Sequence, residues 1–342
     1  MEPAACRWGI LATGRIARDF ATNLRAVPGA EVVAVGSRSP GSAEAFAAEH
    51  GSPGCRAHGS YDALVADPDV DVVYVASPHA FHLEHARLAL EAGKHVLCEK
   101  PLALNVAEAE EMLALARTHD RFLMEAMWMT CHPVIRAVAD GVHAGRFGTP
   151  RQLHADLGFV VEKPPGDRML DPALGAGALL DMGVYPLTLA DLLLGPATTL
   201  AATAVLDDRS VDVDVAVAGR HEGGAVSALT ASMTSASSRT ATLATDAGRI
   251  DLPGGFHHPA YAVWTPRDGE PERIEGLGRV LGTGLGNEAA EVARCLAEGL
   301  RESPLVPHDR TLRVLRAMDD VRRQVGVRYA ADSPVQGGST GA

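Results

Sequence analysis

"GILATGRIA", residues 9–17, joins an apolar strand to a helix through a turn of small residues. A dinucleotide-binding turn needs small residues at three places. One permits the tight turn, one lets backbone N–H groups approach pyrophosphate, and one lets helix and strand pack closely. Here they are Ala12, Gly14 and Ala17, so the first departs from glycine. An ordinary strand–turn–helix without ligand would fit the bare pattern. The elements downstream of residue 17 decide between the two.

Strand-like "RWGILAT" (7–13) precedes the helical "GRIARDFATNLRAV" (14–27), and the alternation continues. "AEVVAVGSR" (30–38), "DVDVVYVASP" (69–78), "HVLCEK" (95–100) and "RFLMEA" (121–126) read as strands. Between them "SAEAFAAEHG" (42–51), "AFHLEHARLALEAG" (80–93) and "NVAEAEEMLALARTH" (105–119) read as helices. Strands alternating with helices of this length imply right-handed crossovers and a parallel, doubly wound α/β sheet, a Rossmann domain over 1–125.

Beyond residue 150 the pattern changes. "RQLHADLGFV" (151–160), "TTLAATAVL" (198–206), "VDVDVAVAGR" (211–220), "AVSALTASMTS" (225–235) and "TATLATDAGRIDL" (240–252) are strand-like, several alternating. They predict an α+β domain over 126–330 with a large, mostly antiparallel open sheet, one face exposed or covered by a partner. Helices are expected near 287–299 and 309–325, and a flexible tail over 331–342.

With 342 residues, 46% apolar, the chain can build real cores. A net charge of −12 without a basic run argues against nucleic acid and anionic membranes as partners. The apolar stretch 174–195 contains Asp181, Tyr185, Thr188 and Asp191, and reads as a buried amphipathic helix rather than a membrane span. Five scattered cysteines without a C-x-x-C pair read as reduced thiols of a cytoplasmic protein. No signal peptide is evident.

The second strand ends at Ser37 and Arg38, without the acidic residue that usually holds a ribose 2′-hydroxyl. A hydroxyl and a guanidinium suit a 2′-phosphate, so NADP(H) is preferred, with NAD(H) possible. Candidate cofactor contacts are Ala12, Thr13, Gly14, Arg15 and Ile16 in the first turn, then Ser37 and Arg38. Ser77, Pro78 and His79 at the next strand end, with His82, read as the nicotinamide side, and Glu99 and Lys100 close the set. His79, His82 and His85 are spaced by three, but no Cys or Asp completes a metal set, and no metal is expected. His85 reads as a solvated helix residue.

"GILATGRIA", "CEKPLA" (98–103) and "GAGALLDMGVYP" (175–186) together resemble the glucose–fructose oxidoreductase/inositol dehydrogenase (Gfo/Idh/MocA) family. The run 93–128 is especially similar to the branch of dimeric trans-dihydrodiol dehydrogenases and NADP-linked D-xylose dehydrogenases. The resemblance implies a two-domain dehydrogenase that pairs through sheet faces into homodimers or homotetramers. It places the catalytic lysine on Lys100 and the proton-transfer residue on Tyr185. It points to His82 and Trp128 as residues lining the active site, and to a cis peptide before Pro101.

Asp181 and Tyr185 are four apart, so on a helix they share one face. Pro186 lacks an N–H and disturbs the Met182 carbonyl, which predicts a kink beside them. Oxidising a carbinol requires a group that moves the hydroxyl proton. Tyrosine, with a pKa near 10, is a poor base unless an ammonium stabilises the phenolate; a shift of two units is worth about 2.7 kcal/mol. Lys100 supplies that charge, and Asp181 binds a second substrate hydroxyl or orients the lysine. Trp128 offers a ring-stacking face to the substrate or is a buried tryptophan between the domains. Arg168, in the loop 157–172, contacts substrate or caps the next helix; Lys163, in a second "EKP", reads as coincidence.

The expected reaction is reversible hydride transfer between nicotinamide and a secondary hydroxyl or ketone of a sugar or cyclic diol. Two alternatives stand beside it: a nucleotide-linked ketosugar reductase, and a non-catalytic NADP-binding regulatory protein.

Overall fold

The computed structural model describes residues 6–164 and 166–332. Six parallel strands form the first sheet: β1 (Cys6–Leu11), β2 (Ala30–Gly36), β3 (Arg56–His58), β4 (Val72–Val75), β5 (His95–Glu99) and β6 (Leu123–Ala126). Their order, β3-β2-β1-β4-β5-β6, is that of a dinucleotide-binding sheet. Helices α1 (Arg15–Leu24), α2 (Pro40–His50), α3 (Tyr61–Val65), α4 (His82–Glu91) and α5 (Val106–Thr118) supply the crossovers.

Local chemistry explains these elements. All four residues of β4 are buried, as befits a strand covered on both faces. Asn105 caps α5 by accepting from Glu108 N–H at 2.9 Å, while the Glu108 carboxylate accepts from Leu104 N–H at 3.1 Å. That reciprocal pair starts the helix sharply after the 100–104 turn. Under the sheet, Phe20 stacks on Tyr74 at 3.8 Å and meets Trp8 edge-on at 5.3 Å. The short strand β3 and helix α3 escape the periodicity reading, which needs longer runs.

Two helices, α6 (Trp128–Cys131) and α7 (Pro133–His143), lead into the second sheet. Its strands are β7 (Pro150–Gly158), β8 (Ala197–Leu206), β9 (Asp212–His221), β10 (Val226–Ser232), β11 (Ala241–Thr245), β12 (Gly248–Leu252), β13 (Ala262–Pro266) and β14 (Glu272–Ile274). The order is β14-β13-β12-β11-β7-β10-β9-β8, antiparallel throughout except between β7 and β10. Because those two run together, Gly158 and Ser232 end side by side, and loop 159–171 leaves from there.

Helix α8 (Val184–Leu194) covers one face of this sheet with α10 (His308–Val325) packed on it, while α9 (Leu285–Ala297) packs on α6. Ten of its eleven residues are buried, so it is a wholly buried helix rather than the amphipathic one expected. Asp191 is its polar exception and pairs with Arg313 at 2.8 Å. The stretch Pro172–Leu194 is the one segment among the described residues long and apolar enough to cross a membrane, and it is 94% buried in the fold. Both closing helices return to the first sheet: α9 packs on α1, and α10 on α5.

The kink expected at Met182 is a π-helical turn, Leu179–Gly183, directly before α8. Pro186 falls in the first turn of α8, where a missing N–H costs little. Residues 331 and 332 of the expected flexible tail are ordered in a short 3-10 turn. Arg322 holds Asp332 at 2.6 Å, while 333–342 lie outside the described residues.

Asp212 anchors the π turn by accepting from Leu179 N–H at 2.6 Å. Gly177, at φ +134, must be glycine, because a Cβ there would lie 2.2 Å from the Asp212 carboxylate. Burial pushes the Asp212 carboxyl up to about 7, against the pull of Leu179 N–H and Arg322. An acid with a raised folded pKa binds more protons folded than unfolded, so its contribution falls as pH rises from about 4 to about 7. The Asp212→Asn variant should lose that part of the pH dependence. Urea unfolding across pH 4–7 tests it: parallel curves for variant and wild type would show that Asp212 does not titrate there.

Candidate active site

The nucleotide end of the first sheet has the geometry its motif requires. Ala12 adopts φ +80, a left-handed backbone that glycine takes more readily. Gly14 caps α1, and a Cβ on it would meet nothing within 4 Å, so the space before the helix is open. No side chain caps that helix, which leaves its first N–H groups free for an anion. Thr13 and Ile16 flank the turn, and Arg15 is exposed and 3.8 Å from Asp19. Ser37 is buried at the end of β2, and its hydroxyl accepts from Ser39 N–H at 3.3 Å. The Arg38 guanidinium lies against the Tyr61 hydroxyl.

Lys100 follows β5 at a cis Lys100–Pro101 bond. Glu99 accepts from the Tyr74 hydroxyl and, at 3.1 Å, from Lys100 N–H. Glu125 fixes the far side of the turn by accepting from Leu102 N–H at 3.2 Å and from Thr311 at 2.7 Å. Burial raises the Glu99 carboxyl despite Lys100 and Tyr74.

The π turn brings Asp181 to this lysine. Lys100 Nζ donates to the Asp181 carbonyl at 2.8 Å and lies 3.7 Å from its carboxylate. Arg168 Nη1 donates to the same carboxylate at 3.0 Å, so the loop arginine pairs with Asp181 rather than capping a helix. His79 donates from Nδ1 to the Gly175 carbonyl at 2.9 Å, leaving Nε2 4.0 Å from Asp181. Burial alone would raise the Asp181 pKa, but Lys100, Arg168 and His79 hold it well below the carboxylate range. Burial likewise disfavours the Lys100 ammonium, yet Asp181, Tyr185 and Glu99 outweigh it and raise its pKa.

Lys100 Nζ sits 4.8 Å from the centre of the Tyr185 ring. Trp128 Nε1 donates to the Tyr185 hydroxyl at 2.8 Å, so the indole holds the phenol oxygen. The phenol proton is thereby left for another acceptor. The expectation that Lys100 depresses the Tyr185 pKa meets a stronger effect. Burial pushes the phenol up to about 12, with Lys100 and Trp128 only partly offsetting it, so Tyr185 is protonated at neutral pH.

Two histidines differ from their sequence reading. His82 is fully buried, with Nδ1 3.0 Å from the Pro101 carbonyl and Nε2 3.0 Å from the Ser77 carbonyl. Burial lowers its pKa to about 4, so the ring is neutral, donates its single N–H to one of these carbonyls, and packs between the 77–78 loop and the 100–104 turn instead of facing the cleft. His85 is buried too, not solvated: its Nδ1 meets the Ser77 hydroxyl at 2.8 Å, between the rings of Tyr61 and Phe81. Pro78 starts the turn that carries His79. Among the described residues no three His, Cys, Asp or Glu side chains form a metal-binding group.

Sequence reasoning misses His257 and His258. They stand at 5.5 and 5.6 Å from Trp128, after β12. The doublet in "GGFHHPAY" (254–261) is the available signal, but no periodicity ties it to residues 70 or 130 positions earlier.

Comparison with known proteins agrees with this architecture. Residues 6–127 match the family described as oxidoreductase, NAD-binding Rossmann fold, and residues 135–251 match the GFO/IDH/MocA C-terminal domain. The trans-1,2-dihydrobenzene-1,2-diol dehydrogenase of Danio rerio is 34% identical over 336 residues, covering 96% of this chain and 99% of its own. The Mus musculus enzyme of that name is 35% identical, with the same coverage. KijD10, a 3-ketoreductase from Actinomadura kijaniata solved with NADP and TDP-benzene, superposes with a TM-score of 0.82 at 31% identity, over 94% of this chain and 98% of its own. With a nucleotide-binding sheet, a lysine at its edge and an open sheet beside it, the chain belongs to the GFO/IDH/MocA family of oxidoreductases.

Proposed function

We propose that this chain catalyses reversible, NADP(H)-dependent hydride transfer between the nicotinamide and a secondary hydroxyl or ketone of a sugar or cyclic diol. One observation carries the reading: Lys100, Asp181 and Tyr185 converge at the C-terminal edge of the first sheet. The names of the relatives, diol dehydrogenases and a ketoreductase, support it.

The residues present fit the cofactor. Open space at Gly14 and the uncapped start of α1 suit a pyrophosphate. Ser37 and Arg38 suit a 2′-phosphate, as no carboxylate opposes them at the end of β2. The bound nicotinamide supplies the hydride chemistry. The protein's own residues handle the oxygen and its proton. Lys100 donates a hydrogen bond to the substrate oxygen and stabilises negative charge on it. Tyr185, protonated and held by Trp128, gives its proton to that oxygen when a ketone is reduced. In the oxidising direction the phenolate takes the proton, and the Lys100 charge stabilises it. Asp181 keeps Lys100 charged and aimed, and with Arg168 it offers polar atoms to a second hydroxyl. The likeness to a 3-ketoreductase favours the same chemistry run as reduction of a ketosugar.

The chain would act in the cytoplasm, its five cysteines being free thiols. It would also act as a homo-oligomer. The open face of the second sheet presents small side chains, Ala201, Thr203, Ala216, Ala218, Ala228 and Thr230, over a broad shallow surface. Such a face fits a second copy of itself.

Lys100→Met should lower kcat by orders of magnitude while NADPH binding, read by fluorescence, is retained; full activity would refute the lysine's role. Arg38→Ala should weaken NADPH binding about tenfold or more, as expected for a lost charge-assisted hydrogen bond of about 1.5–3 kcal/mol, and leave NADH little changed. Equal effects on both cofactors would overturn the phosphate assignment. Sedimentation should give at least twice the 35.8 kDa chain mass, and Ala216→Arg should shift it toward monomer. A monomeric wild type would dismiss the sheet interface.

A further inference from the structure

Next to the reacting pair lies an imidazole that this proton transfer does not use. The His257 ring is half-buried, with its centre 4.9 Å from that of Tyr185 and 5.5 Å from that of Trp128. His258 stands edge-on to it at 4.4 Å, and Phe256 closes another side at 5.6 Å. Burial, with His258, Lys100, Arg239 and His132 nearby, pushes the imidazole down to about 3, so the ring is neutral. A neutral imidazole carries one N–H and one lone pair. Nδ1 is buried and has no hydrogen-bond partner among the described residues. Buried polar atoms are nearly always paired, and packing against Tyr185 and Trp128 would be served as well by phenylalanine. The polar atoms of this ring therefore need a partner that the protein does not supply.

We propose that His257 is a specificity residue that hydrogen-bonds a further hydroxyl of the substrate, beyond the reacting oxygen and its immediate neighbour. The assignment rests on the reaction proposed above. A hydroxyl is the matching group because it both donates and accepts, as the neutral ring does. An anionic group could accept the ring's N–H but offers no donor to its lone pair. A purely apolar group would leave the orphaned nitrogen unpaired. The cleft thus has two walls: charged, from Lys100, Asp181 and Arg168, and aromatic, from Trp128 and His257. Tyr185 lies at their seam.

The test compares kcat/KM with NADP+ for D-xylopyranose, which carries further ring hydroxyls, and trans-1,2-dihydrobenzene-1,2-diol, which has only its two. In His257→Phe the ratio of pyranose to diol should fall about tenfold, the equivalent of about 1.4 kcal/mol, because a site built to bond a hydroxyl discriminates through it. His257→Gln, which keeps a donor and an acceptor, should restore part of the ratio. NADPH binding by both variants confirms that they fold. A ratio within twofold of wild type in His257→Phe would overturn the assignment alone. A wild-type chain that turned over neither compound would overturn the reaction reading and this assignment with it.

Discussion

The buried carboxylate of Asp181 is the constraint on which the cleft depends. It is contacted by Lys100 from the first sheet's edge and by Arg168 from the loop leaving the second sheet. A charge taken out of water is tolerated only when paired. Here one carboxylate serves two cations, and neither has another carboxylate as close among the described residues. Removing it would leave the largely buried Lys100 ammonium without its carboxylate, which costs more than losing a surface pair, whereas the half-exposed Arg168 could turn to water. The interaction also fixes geometry. Lys100 reaches past the side chain to donate to the Asp181 carbonyl, so the lysine is held by backbone as well as by charge.

Around that network burial works against charge on other groups. His79, His82 and His257 are all pushed below their ordinary range by burial. Glu99 is raised, and Glu288, fully buried on α9, is raised further, with neither of its oxygens paired among the described residues. The charges that meet at the cleft are those of Lys100, Arg168 and Asp181. In a site of low polarity, a few fixed charges act on a developing alkoxide more strongly than they would in water. The neutral histidines contribute hydrogen bonds without blurring that field.

How much of this is legible in the sequence depends on distance along the chain. The six-stranded sheet is readable because most of its strands and helices carry their own periodicity, as in "DVDVVYVASP". Strands β3 and β14 are not, since three residues hold too few positions for a period. Lys100 and Tyr185 are reachable from motif spacing, and the structure sets them within a few ångströms of each other. Arg168 stands out as a loop cation, but its bond to Asp181 depends on where a thirteen-residue connection, 159–171, folds back, which no local rule encodes. The acidity of Tyr185 is misread from sequence for a related reason. Sequence displays the ammonium that lowers it, whereas burial, which raises it more, is a property of the assembled fold.

Ala12 shows how motif and geometry part company. The fingerprint asks for glycine there because the turn needs a left-handed backbone, and alanine should disfavour it by about 1–2 kcal/mol. The chain nonetheless holds Ala12 at φ +80, with its N–H donating to the Gly36 carbonyl at 3.1 Å on the neighbouring strand. The flanking strand and helix thus impose the turn, and the residue conforms. What the motif preserves in physical terms is the open approach at Gly14 and the free N–H groups of α1 beyond it. Both are present, which is why a pattern missing its first glycine still marks a nucleotide site.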